Sequence, residues 1–250
     1  MVTRRLVLLF PLALLAACAS PRAAATAPAR SAAATVPLIT ATIAPSPTAV
    51  VAAVRYVAVG ASDTVGVGAS DPATGSWPAR VAALLPPGAA YVNIGVSGSV
   101  ATQAKDQQLP AAVAQRPTVV SVWLGVNDMN ASVTPAVYRD GLTAIVDGLV
   151  TRTDAKVFVG NVPDLRGVPA YKDVDKTQLA AQISAYNDTI ASVVASRAGR
   201  AYLVDLFTGS APLVSTITVS GDGFHPSDEG YKLIADRFAN AMRAAGVPLR

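Results

Sequence analysis

The chain has 250 residues, 52% of them hydrophobic and only 14% charged, with a net charge of +4 and a single histidine and a single cysteine. No dense Lys/Arg run accompanies the basic balance, so the sequence carries no nucleic-acid footprint. One cysteine forbids an internal disulfide, and one His with one Cys leaves little but carboxylates to bind zinc, which argues against a zinc enzyme.

The N-terminus reads as a bacterial export signal. Arg4 and Arg5 form a positive start, and Leu6 to Leu15 form a short apolar run. That run is too short to cross a bilayer, which takes roughly 20 apolar residues. It ends in Leu15-Ala16-Ala17-Cys18, which resembles a lipoprotein lipobox. The expectation is a signal peptide over residues 1–17 and lipidation of Cys18. The protein would then be exported and anchored to the cell membrane or envelope by lipid rather than threaded through it. Residues 18–51 are rich in Ala, Pro, Ser and Thr without apolar periodicity. Such composition reads as a tether rather than a fold.

Residues 52–250 read as one folded domain. Short β-branched runs at Val54–Gly60, Ala90–Gly95, Thr118–Leu124, Lys156–Asn161 and Ala201–Leu206 predict five strands. Between and after them, amphipathic stretches predict helices over Trp77–Leu85, Ala101–Ala114, Pro135–Thr151, Thr177–Ala198 and Ser227–Ala245. In the last, Leu233, Ile234, Phe238 and Met242 share a face, and Ser227 is a natural N-cap. Strand-helix alternation with apolar strands predicts an α/β fold: a three-layer α/β/α sandwich with a mainly parallel, about five-stranded sheet. Ligands bind beyond the carboxyl ends of such strands. Ser62, Gly95 to Gly98, Asn127 and Asn161 all follow predicted strand ends and should gather on that edge.

His225 is the one imidazole available as a base near neutral pH, and it lies three residues after Asp222. Pro226 biases His225 toward an extended backbone, so both belong in a turn before the last helix. A serine past the first strand with a late Asp and His is the material of an acyl-transfer triad. Taken alone, Ser62 reads as readily as a helix N-cap, Asn127 as a turn residue and Gly98 as a loop glycine. Asp128 reads as a cap or structural partner, Asn161 as a loop shaper, and Trp77 and Trp123 as core.

Four segments together carry more. Gly60-Ala61-Ser62-Asp63-Thr64-Val65-Gly66, Asn93-Ile94-Gly95-Val96-Ser97-Gly98, Gly125-Val126-Asn127-Asp128 and Asp222-Gly223-Phe224-His225-Pro226 occur in that order. They resemble the four blocks of the SGNH (GDSL-like) hydrolase family, over roughly Arg55 to Gly246. The resemblance implies a flavodoxin-like SGNH hydrolase fold and a serine esterase or acylhydrolase. It implies Ser62 as nucleophile, His225 as general base and Asp222 as the acid that orients the imidazole. Ser62, Gly98 and Asn127 would form the oxyanion hole, with no metal and no cofactor. The expected substrate is a small-molecule or glycan ester, in particular a short-chain acyl or carbohydrate acetyl ester, with a lipase, lysophospholipase or thioesterase as alternatives of the same class. The expected assembly is a monomer. One departure stands out: Ala61 replaces the acid usual before the serine, and Asp63 is the nearby carboxylate placed to compensate.

Other α/β folds fit less well. A dinucleotide-binding loop would need Gly-x-Gly-x-x-Gly after the first strand, which Gly60, Gly66 and Gly68 do not provide. A Gly-x-Ser-x-Gly elbow fails at Thr64. The rival of another class is a non-catalytic envelope-binding module on the same fold, which serine-directed fluorophosphonate labelling would expose by leaving Ser62 unmodified.

Overall fold

A computed structural model describes residues 53–214 and 217–250. Cys18, the signal segment and the tether lie outside the described residues. Five strands form one sheet: β1 (Arg55–Gly60), β2 (Ala90–Asn93), β3 (Val119–Trp123), β4 (Lys156–Gly160) and β5 (Ala201–Val204). All neighbours are parallel, in the order β2-β1-β3-β4-β5. The observed strands are up to two residues shorter at their carboxyl ends than their apolar runs suggested. The apolar residues beyond them continue into the loops that build the site.

The helices are α1 (Ser62–Val65), α2 (Pro72–Gly75), α3 (Trp77–Ala83), α4 (Ala101–Ala114), α5 (Val126–Asn130), α6 (Pro135–Arg152), α7 (Lys176–Ala195) and α8 (Asp228–Ala244). Of these, α1, α2 and α5 were not expected, because four or five residues are too few to show a helical period. The longer helices start at recognisable caps. Thr134 accepts from Val137 N–H with Pro135 in the first turn of α6, Asp175 accepts from Thr177 and Gln178 N–H ahead of α7, and Ser227 accepts from Gly230 N–H ahead of α8. Each satisfies backbone donors that the helix itself cannot pair.

Alternation along the strands sorts the core into two layers. Val57, Val59, Val120, Val122, Val157 and Val159 point to one face, beneath α4, α6 and α7. Tyr56, Ala58, Val119, Trp123 and Phe158 point to the other, against α3 and α8. Trp77 stacks on Phe238 with ring centroids 4.1 Å apart and meets Trp123 edge-on at 6.1 Å. The two tryptophans thus pin α3 and α8 to the sheet.

The strand order sets the location of chemistry. From β1 the chain crosses to β2 on one side and later returns to β3 on the other, so a crevice opens past the carboxyl ends of β1 and β3. Ser62 follows β1, Gly98 follows β2, Asn127 follows β3, and the 222–225 turn follows β5 and precedes α8.

Candidate active site

Ser62 opens α1 immediately past β1 and is buried. The chain can turn this tightly because residue 60 is glycine: a Cβ there would lie 2.0 Å from Thr64 Oγ1 and 2.7 Å from Trp123 O. Gly66, in the left-handed region at φ 99°, ends the helix.

The 222–225 turn is built around one carboxylate. Asp222 Oδ1 accepts from Ser220 Oγ at 2.7 Å, Phe224 N–H at 2.8 Å and His225 N–H at 2.9 Å. Its Oδ2 lies 2.6 Å from His225 Nδ1. With the Nδ1 hydrogen on that bond, His225 Nε2 is left as an acceptor, 2.9 Å from Ser62 Oγ. The His225 side chain is only 16% exposed, against 42% for Asp222. Partial burial pushes the Asp222 carboxyl up. The hydrogen bonds from His225, Phe224 and Ser220 outweigh it and hold the group well below the usual carboxylate range. Asp222 is therefore anionic near neutral pH.

The other residues singled out in the sequence converge on the same edge. The backbone N–H groups of Ser62 and Gly98 meet no acceptor among the described residues. Gly98 has φ 79° with open space around its Cα, so glycine serves backbone conformation here rather than close approach. Asn127 Nδ2 donates one hydrogen to Ser99 O at 3.2 Å, which leaves its second amide hydrogen uncommitted. Asp128 is fully buried and caps α4, its Oδ1 accepting from Ala101 N–H at 2.9 Å. Asn161 bridges the ends of β4 and β5, donating to Asp205 and accepting from Leu206 and Phe207 N–H.

Ala61 occupies the N-cap of α1 and offers it no side-chain hydrogen bond. Asp63 does not replace the missing acid: among the described residues the one hydrogen-bond donor at its carboxylate is its own backbone N–H. Instead it faces an apolar cavity of about 120 Å³ lined also by Trp123, Val126, Leu165, Val168 and Phe224. Burial pushes Asp63 up to about 6, against the attraction of His225. The cavity wall includes the chain neighbours of Ser62, Asn127 and His225. Asp63 was legible only as a possible stand-in for the missing acid; its sequence position says nothing of which cavity it enters. Gln108 was passed over entirely, although a glutamine on the buried stripe Ala101, Ala104, Leu109 and Ala112 is itself a signal.

Residues 58–233 match the profile of the GDSL-like Lipase/Acylhydrolase family. No curated protein matches the chain by sequence. Among solved structures, the chain resembles a psychrotrophic esterase from Pseudoalteromonas (TM-score 0.60, 16% identity, covering 76% of this chain and 97% of that one). It also resembles a family 3 carbohydrate esterase from Clostridium thermocellum (TM-score 0.59, 22% identity, 77% and 96%) and an acetyl-xylooligosaccharide esterase from Geobacillus (TM-score 0.59, 18% identity, 77% and 94%). At these identities the likeness speaks for the fold.

Proposed function

Because the chain belongs to the GDSL-like lipase/acylhydrolase family, whose members cleave esters, we propose that it hydrolyses carboxylic esters through an acyl-enzyme formed on Ser62. The observation that carries the assignment is the continuous relay from Asp222 through His225 to Ser62 Oγ, at 2.6 and 2.9 Å.

In this mechanism His225 Nε2 takes the Ser62 proton as Oγ attacks the ester carbonyl carbon. Negative charge develops on the carbonyl oxygen, where the N–H groups of Ser62 and Gly98 and the free amide hydrogen of Asn127 receive it. One such donor typically supplies about 3–4 kcal/mol of barrier lowering. Asp222 holds the imidazole tautomer and stabilises the imidazolium. His225 then returns the proton to the leaving alkoxide. Water repeats the cycle: His225 takes its proton, the hydroxide attacks the acyl carbon, and Ser62 leaves reprotonated with release of the acid.

The apolar cavity beside the site supports a short acyl group. At about 120 Å³ it is smaller than the roughly 150 Å³ cavity that admits benzene. With two structural relatives named for carbohydrate ester cleavage, a short-chain acyl or acetyl ester of a carbohydrate is the substrate class we favour. Lipidation at Cys18 would hold such an enzyme at the cell envelope.

The test is hydrolysis of p-nitrophenyl esters from acetate to palmitate by the full chain. Activity should be greatest at the short end. Ser62→Ala and His225→Ala should each lower kcat at least about 100-fold, the lower end of what positioned proton transfer contributes. Near-normal turnover in either folded variant would defeat the role assigned to that residue. A folded wild type with neither activity nor fluorophosphonate labelling at Ser62 would favour the binding-module reading.

A further inference from the structure

Gly60 lies at the carboxyl end of β1, two residues before Ser62. Its neighbour β2 pairs with β1 only as far as Asn93, opposite Ala58. Past that point Val96 N–H still reaches Gly60 O at 3.0 Å, but no backbone carbonyl meets Gly60 N–H. Gln108 fills the gap from the middle of α4. Its Oε1 accepts from Gly60 N–H at 2.9 Å, and its Nε2 donates back to Gly60 O at 3.0 Å. The side-chain amide thus pairs with a peptide group as a missing strand residue would.

The second Nε2 hydrogen goes to Ser99 Oγ at 3.1 Å. Ser99 follows Gly98, and its carbonyl accepts from Asn127 Nδ2. One buried amide, only 2% exposed, therefore reaches the parent segments of all three proposed oxyanion donors. It binds that of Ser62 through Gly60, that of Gly98 through Ser99, and that of Asn127 one bond further on. Few other side chains hold the backbone of the nucleophile turn. Ala61 provides no cap, Thr64 Oγ1 is buried with no hydrogen-bond partner, and the side chains from other elements that reach this stretch of backbone are Asn93 Nδ2, donating to Thr64 O, and Tyr231 Oη, donating to Val67 O.

We infer that Gln108 is a positioning residue that holds the oxyanion donors in register with the nucleophile, the work left undone by Ala61. The inference rests on the ester-cleaving reading above. Gln108 does not touch substrate; it acts through Gly60 and Ser99. Its loss should let the donors drift relative to Ser62 Oγ without emptying the site, and small misplacements of this kind can cost up to about 100-fold.

The readout must separate a misplaced oxyanion hole from general loosening. Replacing the carbonyl oxygen of p-nitrophenyl acetate by sulfur gives a thionoester whose developing anion accepts hydrogen bonds poorly. In the full-length wild type the oxygen ester should react much faster than the thionoester. In Gln108→Met, of similar volume but without the amide, kcat on the oxygen ester should fall about 10- to 100-fold with KM little changed. The thionoester rate should fall far less, so the oxygen-to-sulfur ratio collapses. Ser99→Ala, which removes the Oγ arm together with the long bond from Ser99 Oγ to Val100 O, should shift the ratio in the same direction by a smaller factor, and it alone decides the matter if Gln108→Met does not fold. An unchanged ratio in the folded variants, whatever happens to the rates, overturns the inference. Ser62→Ala run alongside tests the nucleophile separately: if it keeps hydrolysing the oxygen ester, the ester-cleaving reading fails first.

Discussion

Two carboxylates near His225 are driven in opposite directions by their surroundings, with opposite effects on stability. Asp222 is half-exposed and receives three hydrogen bonds in addition to the imidazole contact, which holds it ionised. Its folded-state affinity for a proton is lower than in the unfolded chain, so its stabilisation is present above the ordinary carboxylate pKa and fades as pH falls through that range. Asp63 is half-buried against apolar walls and is pushed up to about 6 from 3.8. The folded state binds its proton more tightly than the unfolded chain does. Its contribution is therefore complete below pH 3.8 and is lost as pH rises to about 6. Asp63→Asn should accordingly raise Tm over the wild type at pH 8 and leave Tm little changed at pH 4, as read by thermal melts in matched buffers. Equal shifts at both pH values would show that ionisation of Asp63 is not what costs stability.

The elements that carry the site are held by side chains from other elements as much as by their own sequence. Helix α4 begins at Ala101 with Val100 as its cap residue, which has no side-chain oxygen to offer. The acceptor comes instead from Asp128 in α5, across the crevice. That bond ties the loop of Gly98 and Ser99 to the loop of Asn127. Burial raises the Asp128 carboxyl, since Ala101 N–H and its local backbone donors only partly offset the loss of water. Asp128→Ala should cost about 0.5–2 kcal/mol, the range for a lost N-terminal cap, measured by urea unfolding. Asp128→Asn keeps an acceptor at that place and should cost less. If the two variants lose the same amount, the cap is not the reason for the aspartate.

For the molecule as a whole, three layers were expected and three are present, with the site where the strand order reverses. Among the described residues no helix is long and apolar enough to cross a membrane. If Cys18 is lipidated, the wild-type chain expressed in a bacterium should pellet with membranes and dissolve in detergent. Cys18→Ala should move to the soluble fraction or be released with ester hydrolysis unchanged. A Cys18→Ala protein that still pellets with membranes would end the lipid-anchor reading. The sequence by itself determined the alternation of strands and helices, the parallel sheet, the edge toward which Ser62, Gly98, Asn127 and Asn161 point, and the turn that carries Asp222 and His225 ahead of the last helix. These follow from periods of two and 3.6 residues, glycine and proline chemistry, and the rule that parallel strands present their carboxyl ends together. Only the tertiary structure decided which side chain pairs with the strand end before Ser62. Gln108 lies 48 positions from Gly60 in the chain, and local patterning carries no record of which buried amide will face an unpaired strand end. Nor could sequence show that Asp63 turns into an apolar cavity, because that cavity is formed by loops after four different strands whose packing fixes its walls.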